Sequence, residues 1–335
     1  MNAGEYVDIA GQPEVAGLRF RRFKGDSDYP VMSSIGQLSW KADHIDWFES
    51  EEELRSQFRS TAESDPLRDL LFAELHGEVI GFYKLSWSRK TPNETAYWIT
   101  VHLLPDHRGI GIREFMFRAA EDAVRSLAKD HEAEQKTMWA WALDTPNDWR
   151  DLVLRSAYSP IWSVVEMVRP NLEDIPATSL PEDIEMRAVK PSDYRAVWEA
   201  SKEAYRREPW FFESNWDDEH FEEWLRSSLF MPDLWQVAWD GDRIVGTVQN
   251  FINAEENRRF DRMRGHTERI FVHPPWRGKG VAKALVARSL AMFKDMGMEE
   301  VTLDAHAESS HHSVRVYQSM GYTVVKQFVF CKKPL

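Results

Sequence analysis

A chain of 335 residues, 43% of them hydrophobic, is long for one domain and can fill two separate cores. Its formal charge of −13 argues against a nucleic-acid phosphate backbone as partner. An acidic surface tolerates a cationic substrate such as an amine, and solubility alone explains the same charge.

The first element in chain order is an alternating strand at residues 18–23, followed by a helix-start signal at Asp26-Ser27-Asp28. A hairpin comes next, with strands at 70–75 and 79–83 around His76-Gly77-Glu78. The run Arg108-Gly109-Ile110-Gly111-Ile112-Arg113 is a glycine-rich turn that opens a helix, with Ile112, Phe115, Met116, Ala120, Val124 and Leu127 on one stripe. A strand returns at 137–141 and a helix at 148–158. Residues 170–181, Pro-rich, polar and without a period, read as a linker.

The same order then repeats. A strand spans 184–189, and Pro191-Ser192-Asp193 signals a helix start. A hairpin spans 235–248, turning at Asp240-Gly241-Asp242, and a strand at 268–272 leads to Arg277-Gly278-Lys279-Gly280-Val281-Ala282. Leu285, Val286, Leu290 and Phe293 stripe the helix that follows, and a strand returns at 300–304. Arg277 and Arg108 lie 169 positions apart, and the strand glycines Gly246 and Gly81 lie 165 apart, so the two registers agree within a loop insertion. The expected fold class is α+β: two tandem domains, at 1–170 and 183–335, each a mixed central sheet with flanking helices, joined by a linker at 171–182. Most of the 15 tryptophans then serve as core filler.

A glycine turn opening a helix leaves backbone N–H groups pointing outward, and the helix dipole adds to their attraction for anions. Gly278 and Gly280 keep that surface bare, and Arg277 can add a charge-assisted contact. No Gly-Lys-Ser or Gly-Lys-Thr follows, and G-x-G-x-x-G spacing fails, so neither a Walker loop nor a dinucleotide fingerprint is present. The element resembles the R-x-x-G-x-G/A motif of the GNAT superfamily of acyl-CoA N-acyltransferases, with Arg277, Gly280 and Ala282 at its three fixed positions. The first copy matches at Arg108 and Gly111 but carries Arg113 where a small residue is expected.

The resemblance covers nearly the whole chain and implies an acetyl-CoA donor. Its pyrophosphate would lie on Arg277, Gly278, Lys279, Gly280, Val281, Ala282 and Lys283. Its pantetheine arm would meet the backbone of Ile270, Phe271 and Val272, where one N–H would polarise the thioester oxygen. Amine acylation also needs a proton for the departing thiolate, and the family often places a tyrosine for this in a run ending Tyr-x-x-x-Gly-Phe. Tyr317-Gln318-Ser319-Met320-Gly321-Tyr322 matches that run and makes Tyr317 the general acid; a tyrosine packing the end of a helix is the alternative. The asparagine often found upstream is replaced by Ser309 or Ser310, and Ser310 is kept as a cofactor contact.

Glu268 is the candidate base, placed on one strand face with Ile270 and Val272 by the period of two. An ordinary strand-edge glutamate fits equally. His266 shares that face if the strand extends so far, and His306 ranks lower. His306, His311 and His312 lack metal-ligand spacing, so no metal is expected.

Copy one has Ile99 opposite Glu268, Val153 opposite Tyr317 and Ala157 opposite Gly321, and reads as catalytically silent. The segment 205–223 mixes Trp210, Phe211, Phe212 and Trp216 with seven acidic residues, among them Glu208. This suits a cationic acceptor, although a solvated acidic helix with a buried aromatic face is the favoured reading. The expected function is therefore acetyl transfer to a primary amine of a small molecule in a ternary complex. A non-catalytic acyl-CoA sensor and a peptide or protein N-acetyltransferase are the alternatives. The layout, a degenerate first copy and a competent second, is also similar to mycothiol synthases, and the run Asp304-Ala305-His306-Ala307-Glu308 through Tyr317 resembles theirs.

The single cysteine, Cys331, excludes an intramolecular disulfide, fits a reducing compartment and reads as a buried hydrophobe. No stretch has the apolar length of a membrane span, and Met1-Asn2-Ala3-Gly4-Glu5 does not begin a signal peptide, so a cytoplasmic monomer or homodimer without membrane partners is expected.

Overall fold

The computed structural model describes residues 2–59, 64–308 and 313–335. The chain forms two compact units, one from Met1–Ile161 with Val329–Leu335, the other from Trp162–Phe328. These units are not the two sequence copies. The strand that ends copy one packs with the second unit from Trp162 onward, and the last strand of the chain is shared between the units at Phe328 and Val329.

In the first unit the order is β1 (Tyr6–Val7), β2 (Leu18–Arg21), α1 (Asp28–Ala42), α2 (Glu51–Arg59) and α3 (Pro66–Asp69). Then come β3 (Leu70–Leu75), β4 (Glu78–Thr91), β5 (Glu94–Leu103), α4 (Ile112–Leu127), β6 (Gln135–Leu143) and α5 (Asp148–Arg155). Strands β1 to β6 lie side by side in sequence order, antiparallel except for the parallel β5–β6 pair. The stripe foreseen on α4 is buried against this sheet at Ile112, Phe115, Met116, Ala120 and Val124.

The second unit begins within β7 (Ser159–Arg169) and continues through β8 (Glu185–Met186), α6 (Tyr194–Tyr205), α7 (Asp218–Arg226), β9 (Gln236–Asp240) and β10 (Arg243–Phe251). It ends with α8 (Ala254–Arg259), β11 (Arg264–Val272), α9 (Val281–Asp295), β12 (Glu300–His306), α10 (Ser313–Gln318) and the start of β13 (Thr323–Pro334). Its sheet runs β7-β12-β11-β10-β9-β8, with β11 and β12 parallel. The mixed sheet with flanking helices is the expected α+β class in both units. The foreseen strand at 184–189 shrinks to two residues.

The strand glycines have a shared cause. A Cβ on Gly246 would meet the Phe271 carbonyl at 2.9 Å, and one on Gly81 the His102 carbonyl at 2.6 Å. Helix α9 seals the second core with Val281, Leu285, Val286, Leu290 and Phe293. Truncating such a leucine to alanine costs about 2–5 kcal/mol. No helix among the described residues is long and apolar enough to cross a membrane.

Candidate active site

Strands β11 and β12 pair at Arg264↔Glu300, Gly265↔Val301 and His266↔Thr302. Beyond that rung no pairing continues, although β11 runs on to Val272 and β12 to His306. The strands therefore part, and a slot opens between them. At the far end of β11, Gly278 (φ +75°) and Gly280 (φ +87°) take the left-handed conformation that other residues resist. Helix α9 starts directly after them, so its first N–H groups face outward. Arg277 braces this turn: its Nε donates to the Val272 carbonyl at 2.7 Å.

A cavity of about 660 Å³ joins the glycine turn to the slot, within the usual range of roughly 300–1,000 Å³ for small-molecule sites. Ile270, Phe271, Val272, Arg277, Gly278, Gly280, Val281, Ala282 and Lys283 all line it, as do Glu268 and Tyr317. Lys279 is the exception, being exposed and off the cavity wall, so its assignment to the pyrophosphate site gains no support. Ser310, like Ser309, His311 and His312, lies outside the described residues.

Tyr317 comes from the short helix α10 and is held in the second core beside Tyr322, ring centroids 6.1 Å apart. Burial, and then the acidic neighbours Tyr322 and Glu268, lift its phenol above the ordinary range, so it keeps its proton at neutral pH.

The period-of-two argument for Glu268 fails at one point. Thr247 faces Phe271, but Gln249 faces Glu268, so β11 carries one extra residue between them. Arg269 sits in this bulge at φ +45°, and the alternation restarts after it. Glu268 still reaches the cavity. Its carboxyl is raised by burial and then by the charge of Asp304, while Asp304 is raised by burial and then by Glu166.

His266 does not join them. It lies where β11 and β12 are still paired, stacks on Phe251 and approaches Glu256 at 3.5 Å. His306 does line the cavity, stacked coplanar with Trp210 at 3.3 Å, and burial lowers its pKa to about 4. The Ile270 carbonyl already accepts the Tyr205 hydroxyl at 3.2 Å.

The acceptor-side segment divides as its composition allows. Glu208, Trp210, Phe211, Phe212 and Trp216 line the cavity, whereas Asp217 caps α7 and Asp218 pairs with Arg195. Sequence reasoning missed the roles of Asp304, Tyr205 and Arg269. The Arg269 guanidinium lies 5.1–5.5 Å from the ring centres of Trp198, Trp216 and Trp224. An acidic residue interrupting the buried Val301, Leu303 and Ala305 was the legible signal for Asp304.

The matching place in the first unit is filled. Gly109 (φ +77°) and Gly111 (φ +84°) make the same turn, and Arg108 Nε reaches the Leu103 carbonyl at 3.4 Å. Arg113, though, points inward. It pairs with Asp43 at 2.8 Å and Asp148 at 2.9 Å and donates to the Val101 carbonyl at 3.3 Å. The residual cavity beside it is about 10 Å³, too small for more than about one water.

The sequence profile of the acetyltransferase (GNAT) family matches residues 32–144 and 194–322. The chain belongs to this family. It is 24% identical over 285 residues to a mycothiol acetyltransferase of Geodermatophilus obscurus, covering 84% of this chain and 86% of that protein. An N-alpha-acetyltransferase of Arabidopsis thaliana is 30% identical over 96 residues, 29% of this chain and 48% of its own.

Among solved structures, a GCN5-related N-acetyltransferase from Sphaerobacter thermophilus shares the fold with a TM-score of 0.71 at 24% identity, covering 96% of each chain. A tandem GNAT protein from the clavulanic acid biosynthesis pathway does so with a TM-score of 0.62 at 12% identity, over 95% of this chain and 98% of its own. GNAT enzymes take their acetyl group from acetyl-CoA, and the chain is a GNAT-type N-acetyltransferase with two GNAT regions. The wall of the second unit fits that donor: bare N–H groups at the turn, a parted strand, and volume continuous between them.

Proposed function

We propose that the second GNAT copy moves an acetyl group from acetyl-CoA directly to a primary amine of a small molecule, while the first copy is silent. One observation carries this: a single cavity joins the glycine turn, the parted strand, Glu268 and Tyr317, and its counterpart in the first unit is filled by Arg113. Bound acetyl-CoA supplies an activated acetyl thioester.

The chain does the rest. N–H groups of Gly278, Gly280 and α9 hold the pyrophosphate, and the backbone of β11 past its bulge orients the arm. Glu268 takes a proton from the acceptor nitrogen, and Tyr317 holds the proton that the sulfur needs on leaving. Cys331 is buried with its thiol pushed up to about 11, which supports transfer without an acyl-enzyme. The aromatic wall with Glu208 supports a cationic acceptor.

Calorimetric titration with acetyl-CoA should give one site per chain, lost in Gly280→Trp. A panel of primary amines, including an amino-sugar–cysteine conjugate suggested by the mycothiol acetyltransferase relatives, should then release free thiol. Two sites would refute the silent first copy, and absence of binding would refute the whole reading.

A further inference from the structure

We propose that Asp304 is a second acid–base residue of this cavity, and that Glu268 and Asp304 work as one carboxylate pair that receives the acceptor's ammonium group and takes its proton. The inference rests on the acetyl-transfer reading and names the charge state in which the amine arrives.

The register places the pair. Strands β11 and β12 run parallel through His266↔Thr302, and two residues further along each strand stand Glu268 and Asp304. This is where the two strands part, and both side chains line the cavity. Asp304 is exposed to the cavity and makes no hydrogen bond or ion pair to any described residue. The Arg269 backbone N–H and guanidinium oppose the rise on Glu268, which burial and the Asp304 charge cause. A carboxylate that faces a confined cavity beside a second carboxyl favours holding a proton or taking a positive partner.

The groups around the pair act on its two members differently. On β7, Glu166 adds negative charge on the Asp304 side, and it is already engaged by Arg264 at 3.0 Å and Lys326 at 3.8 Å. On the Glu268 side stand Arg269 of β11, whose guanidinium lies among three tryptophans and whose charge offsets part of the rise on Glu268, and the phenols of Tyr205 and Tyr317. Both phenols are held neutral by burial. Burial also keeps His306, two residues beyond Asp304, uncharged.

Two carboxyls in one recess share one proton, which leaves a single negative charge. That charge attracts an ammonium ion. The ionised oxygen then takes a proton from it: an N–H bond breaks, an O–H bond forms, and the nitrogen regains the lone pair that attacks. The doubly protonated pair afterwards returns one proton to water.

The test follows the carboxyl carbons by NMR in the ligand-free full chain labelled with ¹³C at Asp and Glu carboxyls. In D304N the Glu268 titration should move to lower pH, and in E268Q that of Asp304 should do the same. Titrations that ignore each other's substitution would overturn the pair. This readout needs no turnover, so it stands even if no amine in the panel releases thiol, a result that would refute the acetyl-transfer reading alone. With an active amine, D304N should lower kcat/KM by roughly tenfold to a hundredfold, leaving acetyl-CoA affinity unchanged. Full activity in D304N would remove Asp304 from the chemistry.

Discussion

Tyr317→Phe separates catalysis from packing because it removes one atom. The ring is 7% exposed and sits in the second core, and phenylalanine keeps its shape. Its hydroxyl donates to no described residue, so the fold should lose less than about 1 kcal/mol. A positioned general acid is worth roughly 10²–10⁴ in rate, or about 3–5 kcal/mol of barrier. Single-turnover thiol release with excess enzyme should therefore slow by at least about a hundredfold, while calorimetry shows acetyl-CoA affinity nearly intact. Because burial raises the phenol above its ordinary range, the wild type should show no loss of the acid through pH 9. A rate within threefold of the wild type (about 0.7 kcal/mol) would refute the acid role.

Three further outcomes follow from named contacts. Arg113→Ala should destabilise the first unit by about 2–4 kcal/mol in denaturant unfolding, because Asp43, 2% exposed, would keep only Arg108; a loss below about 1 kcal/mol would show the network to be dispensable. Glu268 is raised in the folded state, so the native protein binds the extra proton and stability falls as pH rises from the ordinary carboxylate range through the folded value. E268Q should thus gain in melting temperature over the wild type at pH 8.5 and not at pH 4, and an equal gain at both would contradict the assignment. Cys331, with its thiol pushed up to about 11, should resist a thiol reagent at pH 7 until the protein is unfolded, and rapid labelling of the native chain would contradict its burial.

What the sequence made legible was whatever depends on local chemistry. The glycine turns were readable because φ values of +75° and +87° leave little choice of residue. Even the first copy keeps the alignment: Ala157, placed opposite Gly321, shares its left-handed backbone at φ +65° against +86°. What could not be read needed distance in the chain or a break in periodicity. The bulge at Arg269 adds one residue to a strand, and counting by two runs straight through it. Asp304 stands 36 residues after Glu268, and only the parallel register brings them together. Both faces of β12 near its start are buried, so a single aspartate there reads as a strand end until its neighbour across the slot is known.

The contrast between the two glycine turns comes down to one position. Ala282 and Arg113 stand at the same place relative to their cradle arginines, in the second residue of the helix. With alanine there, the slot beyond stays open to the cavity. With arginine, the side chain folds back and takes the Val101 carbonyl, on the same strand segment that β11 uses to line its cavity. A buried guanidinium needs carboxylates, and Asp43 and Asp148 supply them at 2.8 and 2.9 Å. Asp43 also holds Arg108 at 2.7 Å, so the motif arginine and the intruding one share an anchor. The turn keeps its geometry in the first unit, and carboxylates of the same unit engage both arginines beside it.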